Sequence, residues 1–542
     1  MIHRLNTRRA AGFSPRGSSH GGNAGHAGRP RGLKPAARCL FVFASLIATS
    51  VHADTPPEHP TADSKNPPQG RISDDWMAIM INGQKVGYLH AEQERVGDEI
   101  RTRTSTKLTM KRATAKIEIL MKTTSTETLS GEPLAFSSEQ RFGQFPITQK
   151  GTIKDGMITV VSEQLGQKIE RQIAYPKGAL MEWGMQLETL KYKLEPGTVI
   201  KLDAFVPIQA LNVALPTTTE ILKREDIEVL GRSVSALKTK SIVVMNGVAI
   251  ETIGWVDADL TPLRQEMELM GLKFEMVRCD MAFAMEDVSG AEVFVNTLIP
   301  IHQQIDRDAT QSVTYRISGD GKVAAPNLPE TGLQKIISRN GGDIILKVTR
   351  FDFDKLKKGR SLSPPAELEE YLKASVMVSS NDAAVIELAR AAVGAEKDPH
   401  AMARLLCRKV AAVIEDKDLG TAFATAAEVC RRKTGDCTEH GVLLAALGRV
   451  VGIPSRVVTG LIYVSEFGGQ RDVLGFHMWT QFWIAGQWID FDAAWDQVDV
   501  DPTHIALTMD SLQDASVGGL MSPVMLKMNS YRISIIDSDP KQ

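Results

Sequence analysis

The pattern of hydrophobic and polar positions divides the chain into two kinds of segment. From about Trp76 to Met285, apolar and polar residues alternate in short runs that are rich in threonine and β-branched residues. Turn sequences such as Asn82-Gly83 separate these runs, and long helical periodicities are rare. The pattern predicts one antiparallel β-rich domain at residues 76–285, or two smaller ones, and leaves the strand order open.

After Pro365 the hydrophobic period changes to that of α-helices. The first helix is expected at residues 366–378; the next has Asn381 as its N-cap, and a third begins with Asp398 as the cap and Pro399 at the first helical position. Strand-like runs follow at residues 456–464, 477–484 and 487–492. Helices followed by an antiparallel sheet predict an α+β domain at residues 366–540, after a mixed, proline-containing connector at residues 286–365.

Composition and charge narrow the class of protein. The chain has 542 residues, of which 24% are charged and 43% are hydrophobic, and its formal net charge is -2. Such a length predicts more than one domain. The charge balance lacks the basic excess that is typical of nucleic-acid-binding proteins. We therefore expect a multidomain protein with no nucleic-acid partner.

The first 53 residues have the pattern of a secretory signal. Eight Arg and Lys residues come before the first acidic residue, Asp54, and an apolar run at residues 39–50, too short to cross a bilayer, leads to a small-residue cleavage site after Ala53. We expect a periplasmic or secreted protein, a linker at residues 54–75, and no stable membrane insertion after signal removal. The alternative is a basic tail with an uncleaved anchor.

Cysteines are too few for a disulfide-built scaffold. Cys39 belongs to the expected signal, which leaves Cys279, Cys407, Cys430 and Cys437. Cys407 and Cys430 either form a disulfide or remain as buried free thiols on helical faces.

Cys437 stands at the expected start of a helix. Asp436 and Glu439 have the spacing of a reciprocal N-terminal cap, and Gly452 is placed to end the helix. Unpaired backbone N–H groups and the positive end of the helix dipole favour a thiolate at this position. The two neighbouring carboxylates oppose that effect, so a reactive thiolate here requires a cationic partner.

His477 is the candidate for that partner, and two aspartates compete to orient it. His477 begins a strand that continues into a hairpin. A turn at residues 485–486 makes Asp492 a same-face neighbour of His477, whereas a turn at residues 486–487 places Asp496 opposite it. Residue spacing alone leaves both arrangements open.

Each of these residues also has an ordinary structural explanation. A cysteine at a helix start can be a packing residue, a histidine at a strand start can be structural, and the tryptophans at 479, 483 and 488 can belong either to a cleft or to the core. The joint pattern favours chemistry, because a nucleophile, a base and an orienting carboxylate are what acyl transfer requires. A metal site of Cys437, His477 and a carboxylate is disfavoured, since the close-spaced ligand pair of most zinc sites is missing.

The same residues resemble the bacterial transglutaminase-like superfamily. The motifs that carry the resemblance are Gly435-Asp436-Cys437 with Glu439, Gly452-Ile453-Pro454 with Arg456, His477 with Trp479, and Trp488 with Asp492. The resemblance implies a papain-like α+β fold in which Cys437 is the nucleophile, His477 the base and Asp492, rather than Asp496, the orienting residue.

Two positions depart from the family pattern. Thr438 stands where animal transglutaminases carry tryptophan, which puts cross-linking by the animal-type mechanism in doubt. The residues after Asp492 differ from the common D-P-T, and a D-P-T at residues 501–503 makes Asp501 a weaker rival.

The resemblance implies a thiol acyl-transfer enzyme that acts on protein or peptide amides through a thioester. Water or an amine would resolve the thioester, and no metal or organic cofactor is expected. The alternative function is a non-catalytic protein-binding module that retains the fold.

Overall fold

A computed structural model describes most of the chain after residue 65. The described residues are 66–112, 115–142, 144–209, 211–245, 248–258, 260–269, 271–292, 295–319, 326–353, 366–417, 423–513 and 530–540. The predicted signal at residues 1–53, with Cys39, and most of the predicted linker lie outside this range. In the part of the chain that is described, none of the helices combines the length and the apolarity that a membrane crossing requires.

One large antiparallel sheet forms the N-terminal region. Within the described residues its strands run in the order β8-β7-β6-β5-β4-β3-β2-β1-β14-β13-β12-β11-β10-β9, so that neighbours in the chain are mostly neighbours in the sheet. The strands are β1 Gly70–Ile81, β2 Gln84–Val96, β3 Glu99–Arg112, β4 Ala115–Thr128, β5 Pro133–Arg141, β6 Ile147–Lys154, β7 Met157–Gln164, β8 Gln167–Ala174, β9 Val199–Ala204, β10 Leu215–Val229, β11 Arg232–Met245, β12 Val248–Val256, β13 Pro262–Leu269 and β14 Leu272–Cys279.

Tight turns produce this meander. Asn82 and Gly83 both have positive φ, 48° and 79°, which is the type I′ geometry that joins β1 to β2. Strand β1 pairs with β14 in the middle of this order, with Trp76 opposite Cys279, so the runs β1–β8 and β9–β14 form one continuous sheet with β8 and β9 at its two ends. Helices α1 (Glu182–Thr189) and α2 (Met281–Met285) and the short strand β15 (Ala291–Glu292) complete the region.

A second sheet and four helices form the core of the C-terminal region. The sheet order is β16-β21-β20-β23, and β22 pairs with β21. Helix α6 packs on this sheet and is surrounded by the other three helices, so its residues from Cys437 to Arg449 are all buried. These elements are β16 Ile299–Pro300, α3 Ala383–Val393, α4 Pro399–Val413, α5 Ala426–Arg432, α6 Cys437–Val450, β20 Ser455–Phe467, β21 Gln470–Ile484, β22 Gln487–Phe491 and β23 Ile505–Asp510.

A third sheet comes largely from the segment that the sequence predicts as a connector. Its order is β18-β19-β17-β24, and it joins residues before the helices to residues near the end of the chain. The strands are β17 Thr310–Gly319, β18 Gln334–Asn340, β19 Asp343–Thr349 and β24 Tyr531–Pro540. Residues 286–365 therefore contribute strands to two sheets of the C-terminal region, β16 to one and three strands to the other.

The N-terminal sheet also touches the helices. The backbone N–H of Gln144 donates to the buried carboxylate of Glu428 in α5 over 2.7 Å, and the Thr425 hydroxyl donates to the side-chain oxygen of Gln164. Both contacts lie at the start of α5, which immediately precedes α6 in the chain.

The predicted fold class is confirmed: an antiparallel β-rich region precedes an α+β region. Two local predictions are wrong. The expected helix at 366–378 is a 3-10 helix at Ala366–Leu372, because Ser375 and Val378 hydrogen-bond each other in a tight turn. The N-cap of α3 is Asp382 rather than Asn381, since the Asp382 carboxylate accepts from the backbone N–H groups of the first turn. The predicted cap of α4 at Asp398 is confirmed.

Candidate active site

Cys437 is the first residue of α6. The Asp436 carboxylate accepts hydrogen bonds from the backbone N–H and the hydroxyl of Thr438, at 2.9 and 3.0 Å, and Glu439 accepts from the backbone N–H of Asp436 at 3.0 Å. This confirms the predicted reciprocal cap. Gly435 has a φ of 150°, and a Cβ there would overlap the Glu439 side chain, so the entry into the helix requires glycine. Cys437 is fully buried.

The hairpin after His477 resolves the choice between the two aspartates. Ala485 and Gly486 both have positive φ, and Ile484 pairs with Gln487, so the turn occupies residues 485–486. In this register Asp492 lies on the His477 side of the hairpin, and its Oδ2 is 2.8 Å from His477 Nε2. Asp496 lies instead in the turn that follows, where its backbone N–H donates to Ala493.

Asp492 is saturated with hydrogen-bond donors. Its Oδ1 accepts hydrogen bonds from the backbone N–H groups of Ala494 and Trp495, at 3.0 and 3.3 Å. Its Oδ2 lies 2.8 Å from His477 Nε2 and 3.1 Å from His504 Nε2. Burial alone would raise the pKa of Asp492, but the two histidines outweigh burial and lower it well below its usual range. Asp492 is therefore an anion at any pH near neutrality.

Contacts one turn after Cys437 hold α6 against β21. The hydroxyl of Thr480 donates to the backbone oxygen of Gly441 over 2.9 Å, and a Cβ at Gly441 would lie 3.1 Å from Met478. Met478 and Thr480 thus face the helix. Because successive strand residues alternate, His477 and Trp479 share the other face with Asp492. The structure brings His477 and Asp492 together and fixes the helix that carries Cys437 against the same strand.

The three tryptophans named from the sequence have different environments. Trp479 is buried, its ring stacks with His477 at a centroid distance of 6.1 Å, and its indole N–H donates to Asp490. Trp483 and Trp488 are half-buried and pack edge to face at 5.5 Å. Trp479 therefore supports the histidine, and the other two keep some exposed surface.

His504 and Arg307 are parts of this cluster that the sequence analysis missed. His504 shares Asp492 with His477, and Asp501 lies between His504 and Arg307. Asp501, the weaker rival to Asp492, thus lies at the site but contacts the second histidine. A local signal for His504 exists, since it directly follows the D-P-T at residues 501–503, whereas Arg307 lies far away in the chain.

His477, Asp492 and His504 offer three ligand atoms within 4.8 Å of one another, a spacing that one metal ion could bridge. At 2.8 and 3.1 Å, the contacts of Asp492 Oδ2 with the two histidines also have the length of hydrogen bonds. No step of the chemistry below is assigned to a metal.

The described cysteines are free thiols, so Cys407 and Cys430 are not joined. Burial raises the pKa of Cys279 to about 11 and raises the pKa values of Cys407 and Cys430. These three thiols are expected to react slowly with alkylating reagents.

Comparisons with known proteins match part of the C-terminal region to a family model. Residues 386–493 match the model of the transglutaminase-like superfamily, a span that contains Cys437, His477 and Asp492. The chain therefore carries a transglutaminase-like domain in its C-terminal half, preceded by a β-rich region. The search of curated proteins finds no match.

Solved structures resemble the chain only distantly. A protein described as a putative cysteine protease from Cytophaga hutchinsonii is 15% identical, with a TM-score of 0.29, over 43% of this chain and 88% of its own. A β-barrel-like protein of a domain of unknown function from Brucella abortus is 10% identical, with a TM-score of 0.31, over 38% of this chain and 96% of its own. A protein described as a putative protease from Parabacteroides distasonis is 12% identical, with a TM-score of 0.18, over 68% of each chain.

Proposed function

We propose that the C-terminal region is a thiol acyl-transfer enzyme that acts on protein or peptide amides. Cys437 is the nucleophile, His477 the general base and acid, and Asp492 the residue that orients His477. The observation that carries the proposal is the buried 2.8 Å contact between Asp492 Oδ2 and the Nε2 of His477 in β21, the strand against which α6, with Cys437 as its first residue, is packed.

The contact defines the role of each nitrogen of His477. Because Asp492 is an acceptor, Nε2 carries a proton, and Nδ1 is the atom that exchanges a proton with the thiol. A thiolate at the first turn of α6 is stabilised by the backbone N–H groups and the dipole of the helix. The carboxylates of Asp436 and Glu439 oppose a thiolate, and the positive charge of the His477 imidazolium offsets them.

The reaction follows from these roles. The Cys437 thiolate attacks the amide carbonyl carbon, and the resulting oxyanion is stabilised by N–H groups at the helix end, with the Cys437 N–H as the first candidate donor. The C–N bond breaks as His477 Nδ1 gives its proton to the departing amine, which leaves a thioester on Cys437. Water or a second amine then attacks the thioester, with His477 as the base, and the thiol is regenerated.

A second candidate function is a protein-binding module without turnover. The observation that favours it is the complete burial of Cys437, since a nucleophile has to meet its substrate. An enzyme with this structure has to open near the start of α6 before it binds an amide.

The decisive experiment combines two assays on the full chain. One follows incorporation of a fluorescent primary amine into casein, the other hydrolysis of peptide bonds, for wild type, Cys437→Ala and the control Cys430→Ala. We expect one of the two activities in wild type and Cys430→Ala and neither in Cys437→Ala. Absence of both activities in wild type, together with slow alkylation of Cys437 by iodoacetamide, would establish the binding module instead.

We also propose that the protein acts outside the cytoplasm, on extracytoplasmic protein or peptide substrates. The support is the leader pattern of residues 1–53. Mass spectrometry of the protein purified from periplasm or medium should find Asp54 at its N-terminus. A cytoplasmic protein that keeps residues 1–53 would contradict this proposal.

A further inference from the structure

A second histidine shares the Asp492 carboxylate, and the proposed mechanism does not use it. His504 precedes β23, and its Nε2 is 3.1 Å from the Asp492 Oδ2 that His477 also contacts. The other nitrogen of His504, Nδ1, is 3.1 Å from the backbone oxygen of Asp501 and 3.5 Å from its carboxylate. His504 is therefore held between acceptors at both ring nitrogens.

This arrangement determines the protonation state of His504. Carbonyl and carboxylate oxygens accept hydrogen bonds but do not donate them, so each nitrogen of His504 has to carry a proton to make its contact. In a neutral ring, one of the two nitrogens would direct a lone pair toward an oxygen, and the hydrogen bond at that nitrogen would be lost. Burial opposes the cation, but the charges of Asp501 and Asp492 outweigh burial and raise the pKa of His504 to about 9. His504 is an imidazolium at neutral pH.

Asp501 is in turn held as an anion. The Arg307 Nε–H donates to its Oδ2 over 2.7 Å, and Arg307 Nη2 forms an ion pair with the same oxygen at 2.5 Å. Gln497 also donates to Oδ2, at 2.8 Å, and Thr503 donates to Oδ1 from its backbone N–H and its hydroxyl. Burial would raise the pKa of Asp501, but Arg307 and His504 hold it well below its usual range. Arg307 itself lies 3.8 Å over the ring of Trp495. The half-buried Arg307 and the buried Asp501, His504 and Asp492 thus form a row of alternating charge that ends at His477.

From this row we propose that His504 is a positioning residue of the active site, a permanent cation that fixes the Asp492 carboxylate against His477. The inference rests on the proposed function, because it concerns the carboxylate that orients His477. The ring centroids of His477 and His504 are 5.8 Å apart, so the charge of His504 opposes a second positive charge on His477.

Other titratable groups face this row from neighbouring elements. Asp490 in β22 accepts from Trp479 and Gln481, and burial raises its pKa. Burial lowers the pKa of Lys417 and lowers that of His440 in α6 to about 4, so His440 is neutral near pH 7. Burial also raises the pKa values of two further groups that face this row, Cys407 in α4 and Asp496. All of them are retained when His504 alone is replaced, so the comparison with wild type isolates the charge of His504.

The test replaces His504 by glutamine, which keeps an N–H donor but removes the charge. The matched control is His90→Gln in β2, a histidine 2.7 Å from Asp74 in the N-terminal sheet. For each full-length protein, the alkylation rate of Cys437 by iodoacetamide is measured against pH, and the modified cysteine is identified by peptide mass mapping. Wild type should show two inflections, the upper one marking the loss of the thiolate–imidazolium pair.

We expect the upper inflection to move to higher pH by roughly 1–2 units in His504→Gln, from the Coulomb effect of a charge at this distance, and to stay in place in His90→Gln. A folded His504→Gln protein with the wild-type profile would overturn the role of His504. A single inflection near pH 8.5 in wild type would instead show that Cys437 and His477 form no ion pair, and the proposed function would fail first.

A second measurement needs no variant. In wild type with 15N-labelled histidine, the His504 side-chain resonances should remain those of an imidazolium up to about pH 8, consistent with its raised pKa. A neutral His504 at pH 7 contradicts the proposal whether or not His504→Gln folds.

Discussion

Asp492 is the residue on which the geometry of the site depends. It accepts from two backbone N–H groups and from two histidines, so its carboxylate cannot rotate without losing several bonds. Its position follows from one local feature, the turn at residues 485–486, which sets the register of β21 and β22.

The substitution Asp492→Asn tests this role. Asparagine has the same shape, but its NH2 group would face either both imidazole donors, at the position of Oδ2, or the two backbone N–H donors, at the position of Oδ1. His477 would therefore lose its orientation or its tautomer. We expect kcat for amide cleavage or amine transfer to fall by roughly 10³–10⁴-fold, the loss typical of a changed orienting aspartate. The control is Asp496→Asn, which lies outside the cluster and should stay within about tenfold of wild type on the same argument. Equal losses in both variants would contradict the assignment of Asp492.

His504 also predicts how stability depends on pH. Its pKa is about 9 in the folded protein, above the ordinary value of 6.5, so its bonds contribute stability that is fully present below about pH 6.5 and is lost as the pH rises through 9. A shift of this size corresponds to a contribution on the order of 3 kcal/mol to the free energy of unfolding. Urea unfolding of wild type at pH 6.5 and pH 9.5 should show this loss, and His504→Gln should show a smaller one. Equal pH dependence in both proteins would rule out the linkage.

Among the elements, α6 depends on its first turn. Glu439 uses both carboxylate oxygens: Oε2 accepts from Asp436 in the cap, and Oε1 accepts from the backbone N–H of Ala424 at 2.9 Å. One side chain therefore fixes the start of the helix and also the residues that lead into α5. The position of the Cys437 thiol depends on both contacts.

The substitution Glu439→Ala removes both bonds. We expect a loss of about 1–3 kcal/mol in the free energy of unfolding, because a helix cap and a buried acceptor are removed together. The alkylation rate of Cys437 at pH 7 should also fall. Asp398→Ala removes the cap of α4, where Asp398 accepts from Ala401, and is the control that lowers stability without slowing alkylation. Equal effects of both variants on Cys437 would mean that the first turn of α6 has no special role.

At the scale of the whole molecule, the third sheet supports the segment that carries His504. The side-chain amide of Gln334 in β18 donates to the backbone oxygen of Ala506 at 3.0 Å and accepts from its N–H at 2.8 Å, as a neighbouring strand would. Tyr315 in β17 donates to the backbone oxygen of Pro502 at 3.3 Å. Residues of the predicted connector thus hold the chain on both sides of His504.

The substitution Gln334→Ala tests this support. It leaves the backbone groups of Ala506 buried without these partners, so we expect a loss of about 2–4 kcal/mol in the free energy of unfolding. The upper inflection of the Cys437 alkylation profile should also shift, because His504 is released. The control is Gln149→Ala, a buried glutamine of β6 that bonds to Ser138 and Ser162. It should lower stability and leave the alkylation profile unchanged, and a shifted profile in this control would contradict the prediction.

Local sequence patterns were sufficient for much of the site. The cap of α6 depends on residues within four positions of one another, and the α+β order follows from a change in hydrophobic period, so both could be predicted. The choice between Asp492 and Asp496 could not be made from spacing, since two hairpin turns fit the same residues. The family resemblance selects Asp492, and the observed backbone at Ala485 and Gly486 gives the turn that places Asp492 beside His477.

The sequence by itself determined interactions between neighbouring residues: the starts of α4 and α6, the Asn82-Gly83 hairpin and the motif around Cys437. The tertiary structure alone decided that Arg307, Asp501 and His504 line up behind Asp492. The reason is physical. Arg307 and Asp501 come from distant parts of the chain and meet only when the sheets pack, and the charge of His504 exists only because both of its nitrogens are buried against oxygen acceptors.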